Sequence, residues 1–328
     1  MLKSGVEIQL DLGENWYDPG EFVEAVMLAE ELGFRTAWLG DHFVPWFHSG
    51  ARAQFVWSTL GVAMAKTSTI KSGPLVTSSI GGRYHPAIIA QASATLDNMF
   101  PGRFLLGVGT GEAINEVAFM NDRWPNWTER IERLVEGVQL MRRLWESKEP
   151  FSWNGKFFSA SFYYLYTKPK TKIPIYFAAA GRKAACYAGK FGDKMVTLAP
   201  KNSPEKLRAE IIPSYMDCAK ESGRAGGTAA RIDFSFKSPE RLIAEEWQPL
   251  GILAQDSFSL RTPVDVELAG RTLSAEELSR KIHFVEDWRS LINIINKYVD
   301  IGIKEIIIPT DANKDFIRET AKNLLTVF

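Results

Sequence analysis

Asp41 and His42 stand directly after the short apolar run Thr36-Ala37-Trp38-Leu39, and Glu112 closes the glycine-rich stretch Gly107-Val108-Gly109-Thr110-Gly111. An imidazole exchanges a proton near neutrality, and a carboxyl group facing it would complete a pair suited to general acid–base chemistry. Glycines between a strand and a helix let the backbone approach a flat or phosphorylated ligand. Ser78, Ser79, Thr110, Gly111, Asn115, Gly181 and Lys201 also fall just after apolar runs. Each has a plainer role available. A histidine after a strand commonly only hydrogen-bonds within the fold, and a glutamate opening a helix satisfies free N–H groups. His48, His85 and His283 are read as structural, because no strand end presents them. The glycine stretch lacks the G-x-G-x-x-G spacing of a dinucleotide site, and no metal-binding motif, G-x-S-x-G or P-loop occurs.

These residues must be positioned by the elements around them. Asp18-Pro19 reads as a cap and first helical residue. Phe22, Val23, Val26, Met27 and Leu32 mark one helix face, and Gly33 ends it. A buried strand follows, then a polar loop. The order helix, glycine, strand, polar loop returns at Gly102, Gly192 and Gly302. With further strands expected at Val6–Leu10, Leu75–Ser79, Ile175–Ala179 and Ile232–Phe236, the count reaches about eight. That specifies α/β architecture: a single (β/α)8 TIM barrel domain over residues 1–328, with its site where the strands end. The strongest helix follows Asn126. Two stretches break the rhythm, 150–170, with hairpin character at Asn154-Gly155, and 249–271. Both read as insertions that would cover a ligand.

The chain has 39 basic and 39 acidic residues, so it carries no electrostatic footprint for nucleic acid or an anionic membrane. No apolar run approaches membrane-spanning length, and a cytoplasmic location is expected. Cys186 and Cys218 have no close partner in sequence and are expected to be buried, inert thiols.

Asp41-His42-Phe43-x-Pro45-Trp46, Arg83-Tyr84-x-Pro86-Ala87 with Ala90-Gln91, and Pro101-Gly102-Arg103 running through Gly111-Glu112-Ala113-x-Asn115-Glu116 are long and specific motifs. With Trp124-Pro125 and Tyr187-Ala188-Gly189-x-x-Gly192-Asp193, the chain resembles the coenzyme F420-dependent dehydrogenases of the bacterial luciferase-like superfamily. Within that group it is most similar to the secondary alcohol and glucose-6-phosphate branches.

The resemblance implies a homodimeric barrel that binds the deazaflavin coenzyme F420 at the strand ends, where C5 accepts hydride from the CH–OH group of an alcohol or sugar. It implies His42 as the base, Trp46 as the indole that holds the developing charge, and Glu112 as the carboxyl at deazaflavin N1. Asp41, Val76, Thr77, Ser79, Thr110, Gly111, Asn115, Ala180 and Gly181 would contact the coenzyme, and a non-proline cis peptide would fall at Val76–Thr77. Of the three basic positions that clamp phosphate in the sugar-phosphate branch, Lys201 and Lys281 match two and Ser257 stands at the third. One missing charge favours an alcohol, or a sugar that is unphosphorylated or differently phosphorylated. The alternatives are a sugar-phosphate dehydrogenase, an FMN-dependent monooxygenase, a methylene-tetrahydromethanopterin reductase and a flavin-binding protein without activity.

Overall fold

The computed structural model describes residues 1–13, 15–254 and 257–325. After strand β1 (Glu7–Asp11), helix α1 (Pro19–Glu31) opens on a capping box, in which the Asp18 N–H donates to the Glu21 carboxylate at 2.7 Å. It stops ahead of Gly33, whose φ of +93° is a conformation that a side chain would strain. The fully buried β2 (Thr36–Leu39) follows, as the sequence predicts.

The unit recurs. Helix α2 (Val56–Lys66) leads to β3 (Lys71–Pro74) and β4 (Thr77–Ser78), and α3 (Pro86–Met99) to β5 (Leu106–Gly109). A short α4 (Ala113–Glu116) and the long α5 (Trp127–Glu146) come next, the latter capped by Asn126. Beyond the first insertion lie β8 (Ile175–Ala178), α6 (Arg182–Phe191), β9 (Lys194–Ala199), α7 (Pro204–Lys206), α8 (Ile212–Glu221) and β10 (Thr228–Ile232). The chain closes with α12 (Trp288–Asp300), β13 (Glu305–Pro309) and α13 (Lys314–Thr320).

The long strands form a nine-stranded sheet ordered β3-β2-β1-β13-β10-β9-β8-β5-β4, parallel throughout. Its two ends meet: Ser72 N–H donates to the Arg103 carbonyl at 3.0 Å, and Leu105 N–H to the Ser72 carbonyl at 3.0 Å. Because β3 and β4 are two pieces of one stave, the closed barrel has the expected eightfold form. Trp38, Leu105, Tyr176, Val196, Ala229 and Ile307 fill its interior.

Three expectations need correction. Of the strand expected at Leu75–Ser79 only Thr77–Ser78 (β4) is strand, and β3 precedes it at Lys71-Ser72-Gly73-Pro74, which carries no apolar pattern to reveal it. Gly73 is required there by packing, since a Cβ would stand 1.8 Å from the Leu105 carbonyl oxygen. The cis peptide lies at Leu75–Val76, one bond before Val76–Thr77. The strand expected at Ile232–Phe236 is instead β10, which ends at Ile232, while β11 (Phe234–Ser235) pairs with β12 (His283–Phe284) outside the barrel.

The first insertion is the expected hairpin, β6 (Phe151–Asn154) against β7 (Ser159–Tyr163). It is fastened by the Glu136 carboxylate of α5, which accepts from Phe157 N–H at 3.0 Å and Phe158 N–H at 2.9 Å. The second insertion follows α9 (Pro239–Leu250) and holds short turns at 251–253 and 257–259, then α10 (Pro263–Gly270) and α11 (Ala275–Ser279); its residues 255 and 256 lie outside the described set. Cys186 and Cys218 are not free thiols. They are 32 residues apart in sequence, but α6 and α8 pack side by side and bring their Cα atoms to 5.2 Å, where they form a disulfide. Among the described residues no helix is long and apolar enough to cross a membrane, and no cluster of metal-ligating side chains occurs.

Candidate functional site

His42 is delivered by β2 and Glu112 by the turn after β5, where Glu112 is the N-cap residue of α4. The two meet across the barrel mouth, with His42 Nε2 3.3 Å from Glu112 Oε2. On the other side of the ring, Nδ1 lies 3.1 Å from the Val44 carbonyl oxygen and 3.1 Å from Asn115 Nδ2. Asn115 is itself fixed, because its Oδ1 accepts from Phe43 N–H at 2.9 Å and its Nδ2 donates to Glu112 Oε2 at 3.2 Å. A proton on Nδ1 directed at Val44 places the Nε2 lone pair toward the mouth and Glu112 Oε2, the tautomer a base requires, and pairs it with the protonated form of Glu112. Burial lowers the His42 pKa, outweighing the upward pull of the Glu112 carboxylate, so the ring is held neutral near neutrality.

Trp46 packs its indole 4.8 Å from the His42 ring, centroid to centroid. Trp46 also joins Phe47, Ile114 and Val266 in a small apolar cluster, with Ile252 and Leu260 against it. The second insertion thereby seats on the loop that carries the candidate base, as a cover would.

Asp41 lies beneath the same loop. Arg83 Nη2 stands 2.6 Å from Asp41 Oδ1 and 3.0 Å from its carbonyl oxygen, and the Tyr84 hydroxyl donates to Oδ1 at 3.3 Å. Asp41 Oδ2 is buried without a hydrogen-bond partner, as are the hydroxyls of Thr77 and Ser79 at the end of β4. A folded protein seldom leaves so many polar atoms unsatisfied together unless something else pairs with them. Val76 fills the space of two missing side chains: a Cβ at Gly107 would be 3.2 Å from its Cγ1, and one at Gly109 2.7 Å from its Cγ2. Thr110 and Gly111 extend this wall beyond β5, with Gly111 at φ +73°. Ala180 and Gly181 bring the open N-terminus of α6 from the end of β8.

Farther around the rim, the Lys201 ammonium lies 4.8 Å from the centroid of the Phe258 ring. Loss of water there, with the charges of Lys281 and Lys206, lowers the Lys201 pKa. The residues expected as a phosphate clamp are thus gathered, with Ser257 buried beside Phe258 and Lys206 adding a positive charge that the sequence did not single out.

The remaining histidines make contacts within the fold. His85 caps α3 by accepting from Ala87 N–H at 3.1 Å, His283 Nε2 lies 3.1 Å from the Tyr298 hydroxyl, and the backbone N–H of His48 donates to Glu267 at 2.8 Å. Roles for Arg83, Tyr84 and Glu116 were missed, although all three fall inside the motifs. Their importance depends on contacts with Asp41 and with loops from other strands. Asp11, Arg231 and Asp233 also escaped notice. Arg231 Nε is 3.0 Å from Asp11 Oδ2 and 3.2 Å from Asp233 Oδ1 in the mouth, and burial raises the Asp233 pKa.

Comparison with known proteins identifies relatives of this chain. Residues 4–245 match the family described as luciferase-like monooxygenase. An F420-dependent glucose-6-phosphate dehydrogenase of Nocardia farcinica is 33% identical over 92% of this chain and 91% of its own length. One from Segniliparus rotundus is 35% identical over 89% and 88%. A solved F420-dependent secondary alcohol dehydrogenase, in complex with an F420–acetone adduct, is 30% identical with a TM-score of 0.88 over 98% of this chain and 99% of that one. The F420-dependent tetrahydromethanopterin reductase of Methanopyrus kandleri, at 19% identity and a TM-score of 0.78, shares the fold. The chain therefore belongs to the luciferase-like family, alongside its F420-dependent dehydrogenases.

Proposed function

We propose that this protein is an F420-dependent dehydrogenase that oxidises the CH–OH group of an alcohol or sugar, with His42 as the base. The observation that carries the reading is the part-buried His42–Glu112 pair at the barrel mouth, in a fold that leaves polar atoms of Asp41, Thr77 and Ser79 at the ends of β2 and β4 without hydrogen-bond partners. A planar, hydrogen-bonding ring fits there. Asp41, Thr77 and Ser79 offer polar edges, Val76 an apolar face, and Thr110, Gly111, Asn115, Ala180 and Gly181 backbone and side-chain contacts at the strand ends. When bound, the deazaflavin supplies a hydride acceptor. His42 Nε2 would take the hydroxyl proton of the substrate, which loosens the carbinol C–H bond and contributes on the order of a hundredfold. Glu112 would hold a proton at the coenzyme edge, Asn115 would fix both partners, and Trp46 with the second insertion would exclude water.

A second reading concerns the substrate. The Lys206 and Lys281 charges both act on Lys201 at the rim, which favours an anionic group on the substrate and so a sugar phosphate. Binding of F420 in preference to FMN, followed by bleaching with alcohols, sugars or sugar phosphates, tests the function and selects between the readings.

We also propose one domain over residues 1–328, a cytoplasmic location and a homodimer. Exposed Val62 on α2, with Ile88 and Met99 on α3, supports a covered surface, and a monomeric mass in solution would contradict the dimer.

A further inference from the structure

Glu116 is a carboxyl that the proposed chemistry does not use, and it is 1% exposed. Its Oε2 accepts from Arg83 N–H at 2.8 Å. Two glycines make room for it: a Cβ at Gly82 would stand 2.1 Å from Glu116 Oε2, and one at Gly111 3.1 Å from its Cγ and 2.7 Å from Ser78 Oγ. The side chain is therefore wedged where the end of β4, the turn at 80–84 and the turn after β5 converge. The same Arg83 whose amide it holds carries its guanidinium to the Asp41 side chain and carbonyl.

We propose that Glu116 is a positioning residue: by holding the Arg83 amide beneath Gly111, it fixes the guanidinium that presents the Asp41 carboxylate, and so couples the ends of β2, β4 and β5 into one coenzyme cradle. The effect on coenzyme rests on the F420 reading above, whereas the coupling of the loops does not. Burial raises the Glu116 pKa to about 7, against the opposing Arg83 amide and guanidinium. The charged groups that act on it are Arg83 from the turn and Asp41 from the end of β2, with the neutral Ser78 hydroxyl from β4. Ionised Glu116 accepts from the Arg83 N–H more strongly than the neutral acid does, so the cradle tightens as pH rises through about 7.

The test compares wild type, Glu116→Gln and Glu116→Ala in two measurements. Hydrogen exchange of the coenzyme-free protein, followed by mass spectrometry of the peptide containing Arg83, reads the turn. Fluorescence titration with F420 between about pH 6 and 8 reads the cradle. Glu116→Ala should speed exchange at the turn and weaken F420 by about tenfold, the worth of a buried hydrogen bond. Glu116→Gln, which can still accept from the Arg83 N–H, should keep the protection while losing the wild-type strengthening at higher pH. Wild-type protection in Glu116→Ala, or a wild-type pH profile in Glu116→Gln, would overturn the proposal. If the alanine variant does not fold, the glutamine profile decides. Failure of wild type to bind F420 would overturn the functional reading alone, with the exchange data still deciding the coupling.

Discussion

His42 Nε2 and Glu112 Oε2 lie 3.3 Å apart at the mouth of the barrel, although one is delivered by β2 and the other by the turn after β5. Strands from separate parts of the barrel have brought an imidazole and a carboxyl to one point, where Asn115 Nδ2 donates to Glu112 and lies 3.1 Å from His42 Nδ1. Replacing His42 with Ala should lower kcat by about a hundredfold or more while coenzyme affinity changes little, because the imidazole acts on the substrate proton. Unchanged turnover would remove His42 from the role of base.

The same pair fixes the sign of a pH effect. A base must be neutral to act, and burial places the His42 pKa below its ordinary 6.5, so activity should hold through neutrality and fall only on the acid side. The Glu112 carboxylate pulls that pKa upward. In Glu112→Gln the acid limb of kcat/KM should therefore move to lower pH. The stability linkage has the matching sign: the unfolded chain binds the proton more readily, so the contribution of neutral His42 is present above about pH 6.5 and is lost as pH falls. A limb that moved to higher pH would contradict this account of the pair.

At the rim, the lysine charges make substrate selectivity testable. Ser257→Lys should improve kcat/KM for sugar phosphates by roughly tenfold, with little change for neutral alcohols, and Lys201→Ala should do the reverse for phosphorylated substrates. Equal effects on charged and neutral substrates would show that these residues do not face the substrate.

The Cys186–Cys218 bond closes a loop of 32 residues between α6 and α8. Opening it by Cys186→Ser with Cys218→Ser should cost about 4 kcal/mol in denaturant unfolding, on the loop-entropy account. The bond also runs against a cytoplasmic location, where thiol pairs are kept reduced. Alkylating free thiols in intact cells before lysis would decide the matter: labelled cysteines fit the cytoplasm, and an unlabelled pair an oxidising compartment.

Much of this molecule was legible in its sequence, for identifiable reasons. The Asp18–Gly33 helix and the strands around Trp38 and Ile306 carry complete local signals: a cap, an apolar face, a glycine stop and a buried run. The strand-end rule of the barrel then located His42, Glu112, Asn115 and Ser79 without reference to contacts. What escaped depended on neighbours distant in the chain. β3 is held by its fit against Leu105 rather than by apolar residues. The disulfide depends on the packing of α6 on α8, and the parts played by Arg83 and Glu116 depend on loops from other strands. The register of the cis bond differed by one residue, a matter settled by backbone geometry that spacing in a motif does not encode.

The most direct test of the functional account is titration of the purified protein with oxidised F420 and, separately, with FMN, followed by addition of secondary alcohols, glucose and sugar phosphates. The account predicts tight, preferential F420 binding and loss of deazaflavin absorbance with one of these substrate classes. Preference for FMN, or F420 binding without bleaching by any of them, would contradict it.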